Sequence, residues 1–131
     1  MDQRTINPWK WQDHFGFVQG TEISGAERVL YCAGQASIDA EGRPVHAGDM
    51  RAQIGQVLDN LETVLSKSGF SLPNIVRLNY YTTDVDLFVA NSDIVKARVA
   101  QAGCHFASTL LGVGRLAYPE LLIEMEATAV K

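Results

Sequence analysis

DMRAQIGQVLDNLETVLSKSG, residues 49–69, decides the fold. Met50, Ile54, Val57, Leu58, Leu61, Val64 and Leu65 recur at steps of three and four, which at 3.6 residues per turn makes one apolar stripe. Gln56, Asp59, Thr63 and Ser66 fall on the opposite, wet side. Asp49 is placed to accept a bond from an unpaired backbone N–H of the first turn, and Gly69 to supply a left-handed residue after the last. A helix of this length spans about 30 Å and needs something flat and apolar to lie on.

The flanking segments read as that surface. A short edge strand is expected near Arg4–Ile6. Strand-like runs at Gly16–Ile23 and Arg28–Ala33, separated by Ser24-Gly25-Ala26-Glu27, read as a hairpin. Val29–Ala33 is apolar on both faces, as in a central strand. Gly34 to Gly48 is turn-rich and reads as a long loop. Beyond the helix, Ile75–Thr83 is β-branched and aromatic, with Val76, Leu78 and Tyr80 alternating against Arg77, Asn79 and Tyr81. Asp84 or Asp86 caps a second helix over Leu87 to Ala102, ending at Gly103. Ser108–Val113 and Leu121–Val130 are the last strands. In the final one Leu121, Ile123, Met125, Ala127 and Ala129 point one way, and Leu122, Glu124, Glu126 and Thr128 the other.

The order β-β-α-β-α-β-β predicts an α+β layer, two helices on one face of a mixed sheet, in a single domain over 1–131 with residues 1–14 as an N-terminal edge segment. The open sheet face then carries Glu124, Glu126, Tyr81 and Asn79 beside apolar neighbours, which suggests that sheets of several subunits meet there. Trp9 and Trp11, flanking Lys10, are expected to pack on a neighbouring surface.

Composition bounds the function. The chain has 131 residues, 47% hydrophobic and 20% charged, enough for one core without metal or disulfide support. The net charge of −4 with no basic cluster argues against nucleic-acid binding. No apolar run approaches the ~18 residues of a membrane span, and the start lacks the apolar core of a signal peptide. Cys32 and Cys104, without CxxC spacing, read as reduced, buried thiols in a cytoplasmic protein. His14, His46 and His105 share no ligand spacing, so no metal or cofactor is expected. Glu124 and Glu126 lie about 7 Å apart along one strand face. That spacing suits acid–base chemistry, yet a solvated face or an intersubunit ion pair explains it at least as well.

Several segments together resemble the YjgF/RidA, or L-PSP endoribonuclease-like, family. Ala33-Gly34-Gln35 is similar to its S-G-Q strand end. Gly48-Asp49, Ala52-Gln53 and Asp59-Asn60-Leu61 follow its G-D, A-Q and L-x-N-L helix. Gly69 with Ile75-Val76-Arg77-Leu78 resembles its glycine, spacer and D-V-V-K strand, and Asp84-Val85-Asp86 with Asn91 its D-x-x-x-F-x-x-x-N helix start. Ser108-Thr109 and Ile123-Glu124-Met125-Glu126-Ala127 resemble its R-S-T and V-E-I-E-A strands. The likeness runs from about Phe15 to the end.

The resemblance implies a chorismate-mutase-like layer whose sheets close into a trimeric barrel, with small-molecule sites in the clefts between subunits. It implies hydrolysis of imines and enamines such as 2-aminoacrylate to ketoacids and ammonia. An arginine grips the substrate carboxylate and a glutamate positions water. Glu124 keeps the glutamate. Ala107 stands where the arginine should be, Phe17 where a tyrosine should, and Ala33 where the serine of S-G-Q should. An alanine cannot bind a carboxylate. The substitution therefore argues against the standard deaminase activity and for a less anionic or more apolar ligand. The cleft implied is lined by Phe17, Ala33, Gln35, Asn91, Ala107 and Thr109 around Glu124. Arg115, at a strand end, is a poor substitute for the lost cation. A non-catalytic ligand-binding or scaffolding homotrimer stays open as an alternative; the acidic charge speaks against the ribonuclease that the family name suggests.

Overall fold

The computed structural model describes all of residues 1–131. Its elements are β1 (Asp2–Ile6), β2 (Gly20–Ser24), β3 (Val29–Ala36), α1 (Met50–Lys67), β4 (Ile75–Thr82), α2 (Val85–Ala90), α3 (Asp93–Ala102), β5 (Ala107–Gly112) and β6 (Ile123–Val130). Helix α1 forms for the reasons its sequence states. The Asp49 carboxylate accepts from the Ala52 N–H at 3.0 Å, and Gly69 adopts φ +73° beyond the last turn. Ile54, Val57, Leu58, Leu61 and Leu65 are completely buried. At about 2 kcal/mol per buried aliphatic side chain, this stripe is the largest local contribution to the core.

Helix α1 lies on a four-stranded sheet of order β3-β6-β4-β5. The β3/β6 and β6/β4 pairs are antiparallel and β4/β5 is parallel. A parallel pair needs a crossover, and α2 with α3 supplies it. Ile123, Met125, Ala127 and Ala129 face the helices and are buried, while Glu124, Glu126 and Thr128 alternate onto the open face. The fold is therefore a mixed α+β layer, as the alternation of hydrophobic residues predicts. No helix is long and apolar enough to cross a membrane.

Four expectations are corrected. First, β2 does not pair with β3. It pairs with β1 in a separate ladder, Asp2 opposite Ser24 through Ile6 opposite Gly20. Gly25, at φ +70°, redirects the chain, and the N–H groups of Glu27 and Arg28 both donate to the Lys131 carbonyl, seating β3 against the end of β6. Strand β3 is consequently an edge rather than a central strand, and Tyr31 is 79% exposed.

Second, the helix expected over 87–102 is two helices. Asn91 Nδ2 donates to the Leu87 carbonyl and Ser92 Oγ to the Val89 carbonyl. Side chains that bond the helix's own carbonyls compete with its continuation, and the chain restarts at Asp93, which pairs with Arg51. Third, the long loop is shorter and more ordered than its glycines suggest. Strand β3 runs to Ala36, and Asp39 then caps a tight turn by accepting from the N–H groups of Glu41 and Arg43. Fourth, Trp9 and Trp11 both stay more than half exposed. Trp11 packs edge-on to Phe15 and Phe17, with ring centroids 6.4 and 6.3 Å away.

Two polar residues on the inward side of α1 are structural. Gln53 is fully buried. Its Nε2 donates to the carbonyls of His46 and Glu120, and its Oε1 accepts from the Leu122 N–H. Asn60 Nδ2 donates to the carbonyls of Ala36 and Ile38. Together they fasten the end of β3, the segment after it and the segment leading into β6 to the helix.

Candidate functional site

The open sheet face is a ladder of polar rows, fixed by register. Tyr31, Thr128, Arg77 and Ala107 make one row across β3, β6, β4 and β5; Glu126, Asn79 and Thr109 make the next; Glu124, Tyr81 and Leu111 the third. Strand β3 carries one extra residue between Cys32 and Gln35, a β-bulge at Ala33–Gly34 beside the glutamates.

The two glutamates differ in their surroundings. Glu126 accepts from the Tyr81 hydroxyl at 2.5 Å and from Asn79 Nδ2 at 3.2 Å. The Tyr81 bond, then the Asn79 bond, with Arg77 adding, hold its carboxyl below the usual range, and the same bond to Glu126 raises the Tyr81 phenol. Glu124 makes no such bond. It is half-buried, with its carboxylate lying over the Cα of Gly34. Glu126 is thus committed to the protein and Glu124 is uncommitted.

The other residues expected in the cleft are dispersed. Gln35 turns back, its Nε2 donating to the Ala33 carbonyl at 3.1 Å. Asn91 is taken up by the end of α2 and also accepts from Arg51 Nη1 at 3.3 Å. Ala107 begins β5 directly opposite Arg77, and Thr109 accepts from Arg77 Nη2 at 2.9 Å. Phe17 lies on the helix side of the sheet, in the wall of an apolar cavity of about 310 Å³ with Phe15, Tyr80, Phe88 and Leu110. Glu124 and Ala107 sit two strands and four strand residues apart, roughly 16 Å at about 3.3 Å per residue and 4.8 Å per strand. One chain therefore does not place a ligand on both. Arg115 lies beyond the opposite end of β5 from Ala107, as expected from the sequence.

The thiols are poor nucleophiles. Burial raises the Cys32 thiol, and burial, with the charge of Glu62 adding, pushes Cys104 up to about 11. Cys104 is only half-buried and lines a cavity of about 440 Å³ with Asp13, His14 and His105, but a thiol with that pKa stays protonated at neutral pH. No three His, Cys, Asp or Glu side chains group as metal ligands.

The contact between Arg77 and Thr109 comes from the parallel register of β4 and β5, which no local sequence pattern encodes.

Residues 14–131 match the family model described as Endoribonuclease L-PSP. A RutC family protein of Pyrococcus horikoshii is 30% identical over 106 residues, covering 81% of this chain and 82% of that protein. Among solved structures, a protein of unknown function of the conserved Rid protein family from Yersinia pestis superposes with a TM-score of 0.88 at 37% identity, covering both chains completely. The YjgF gene product of E. coli superposes with a TM-score of 0.70 at 25% identity, over 87% of each chain.

Proposed function

The chain belongs to the Endoribonuclease L-PSP (YjgF/RutC/Rid) family, and from that membership we propose that it is a RidA-like homotrimer binding a small molecule in clefts between subunits. Its chemistry is hydrolysis of a C=N bond in an imine or enamine, with Glu124 orienting the attacking water. The observation that carries this reading is the contrast between the glutamates. Glu126 is occupied by Tyr81 and Asn79, whereas Glu124 keeps an uncommitted carboxylate on the open face. The separation of Glu124 from Ala107 within one chain supports a site completed by a second copy. Hydrolysis at that site needs neither a metal nor an organic cofactor.

Ala107 removes the bidentate grip on a substrate carboxylate at that position, so rapid 2-aminoacrylate deamination by the usual geometry is not part of the proposal. The test is a coupled assay in which a pyridoxal-dependent serine dehydratase generates 2-aminoacrylate and ketoacid release is followed. Acceleration by the wild type, lost in Glu124→Gln, supports C=N hydrolysis without an arginine at 107. Acceleration only by Ala107→Arg supports the cleft and assigns it another natural substrate. If hydrolysis of an uncharged imine also proceeds equally with Glu124→Gln, the catalytic reading fails.

The apolar replacements at Phe17, Ala33 and Ala107 favour one second reading, a ligand-binding or scaffolding trimer without turnover. Thermal stabilisation by a ligand that is never converted supports it, and enzyme-like turnover of an imine ends it.

A further inference from the structure

The helix side of the sheet carries a groove that the Glu124 chemistry does not use. Ser108 and Leu110 of β5, in register with Leu78 and Tyr80 of β4, face it. With Phe88 of α2 and the turn at Phe15 and Phe17 they enclose the apolar cavity of about 310 Å³. Its rings come in two pairs. Phe15 and Phe17 have centroids 6.2 Å apart at 35°, and Tyr80 and Phe88 have centroids 5.3 Å apart at 41°.

Two polar groups in this apolar wall lack partners. Tyr80 is nine-tenths buried, and its hydroxyl has no hydrogen-bond partner in the chain, although it is not sealed from solvent. The buried hydroxyls of Ser37 and Thr82, by contrast, each bond a backbone carbonyl. Burial, with Cys104 adding, raises the Tyr80 phenol, so it stays a neutral donor. A nearly buried hydroxyl without a partner is uncommon, and an acceptor brought to it forms a bond with little water to displace. The second group is Lys96 of α3, whose ammonium lies 5.9 Å from the Phe15 ring centroid. The ion pairs of the chain engage Arg4, Arg51 and Arg98 and leave Lys96 out. Asp13, the acidic residue that shares the adjoining cavity with Lys96, accepts instead from Gln12 Nε2 at 3.1 Å.

We propose that this groove binds an aromatic anion carrying a hydroxyl or carbonyl oxygen at the end remote from its charge. The ring system packs among Phe15, Phe17 and Phe88, the far oxygen accepts from the Tyr80 hydroxyl, and the anionic group meets Lys96 at the rim. An aromatic body suits this lining better than a flexible chain. Offset and edge-to-face ring contacts add to burial, and a rigid ligand has little conformational freedom to lose. The site is separate from the open face and does not rest on the role of Glu124, because Tyr80 and Ser108 alternate to the other side of the sheet from Tyr81 and Thr109.

The test is calorimetric binding to the intact protein of three matched probes: 6-hydroxynaphthalene-2-sulfonate, its neutral sulfonamide, and naphthalene-2-sulfonate without the hydroxyl. The wild type is expected to bind the hydroxy-sulfonate about fivefold tighter than either of the others, the effect of one rim charge pair or one hydrogen bond. Lys96→Gln should erase the advantage over the sulfonamide, and Tyr80→Phe the advantage over naphthalene-2-sulfonate, each leaving the other advantage intact. Absence of binding, or equal binding of sulfonate and sulfonamide by the wild type, overturns the proposal. A charge preference that survives Lys96→Gln overturns it too, and a hydroxyl preference that survives Tyr80→Phe overturns the orientation. Light scattering on the same samples tests the other occupant. Binding with the mass of the assembly unchanged supports a small-molecule site. Binding only as the assembly dissociates assigns the groove to a second copy of the chain and overturns the proposal.

Discussion

The Oε1 atom of Glu124 fills the place that a side chain at position 34 would take: a Cβ built on Gly34 would lie 2.0 Å from it. Gly34 does not have the left-handed backbone that would itself demand glycine. The glycine is needed for the volume its absent side chain leaves to the carboxylate.

Gly34→Ala therefore separates stability from function. The carboxylate is the end of a flexible side chain on an open face and can swing away, so unfolding free energy should change by less than about 1 kcal/mol. The displaced carboxylate should nevertheless make Gly34→Ala behave like Glu124→Gln in imine hydrolysis. A clear loss of stability in urea with hydrolysis preserved would contradict this.

The second glutamate gives a pH signature. Its carboxyl is depressed by the Tyr81 and Asn79 bonds, so its contribution to stability is present above the ordinary glutamate pKa of about 4.3 and is lost as pH falls through the lower folded value. The Tyr81 phenol is raised by the same bond, so that contribution is present below about pH 10 and is lost as pH rises through the folded value. Tyr81→Phe should move the Glu126 titration upward in a carboxyl-carbon NMR experiment. An unmoved Glu126 midpoint would show that the 2.5 Å contact carries no charge stabilisation.

Helix α1 and strands β4 and β6 were legible because each is written in its own residues: a cap and an apolar stripe in one, strict alternation in the others. The partner of β2 was not, because a hairpin and a pairing with the distant Asp2–Ile6 present the same local pattern. The break at Asn91 was hidden for a related reason. Asn and Ser are tolerated within helices, and only their bonds to Leu87 and Val89 end this one. In the site, alternation placed Glu124 and Glu126 on one face but could not say which was committed. Arg77 and Thr109 meet across 32 residues of sequence, a contact that only the parallel β4/β5 register creates.

Gln53 and Asn60, which the sequence offers as part of a family-like helix, serve the fold rather than the chemistry. Gln53→Leu would leave the His46 and Glu120 carbonyls and the Leu122 N–H without their side-chain partner. At roughly 1–3 kcal/mol per orphaned buried group, with partial relaxation, about 3 kcal/mol of stability should be lost. Urea unfolding checks this. A loss no larger than that of an exposed substitution such as Lys67→Ala would mean that water replaces the amide at no cost.

Subunit assembly is testable at Tyr31. Val29, Tyr31 and Leu111 are 51%, 79% and 49% exposed on or beside the open face of a single chain, an apolar exposure that association would relieve. Glu124 and Ala107 are also too far apart within one chain to share a ligand. Tyr31→Glu places a charge in that surface without touching the α1 core. Light scattering should give a trimer mass for the wild type and a smaller species for Tyr31→Glu, with the circular dichroism of the folded chain retained. Glu124-dependent hydrolysis should disappear with the trimer. A monomeric wild type that still hydrolyses imines would require a complete site within one chain, which the register of β4, β5 and β6 does not provide.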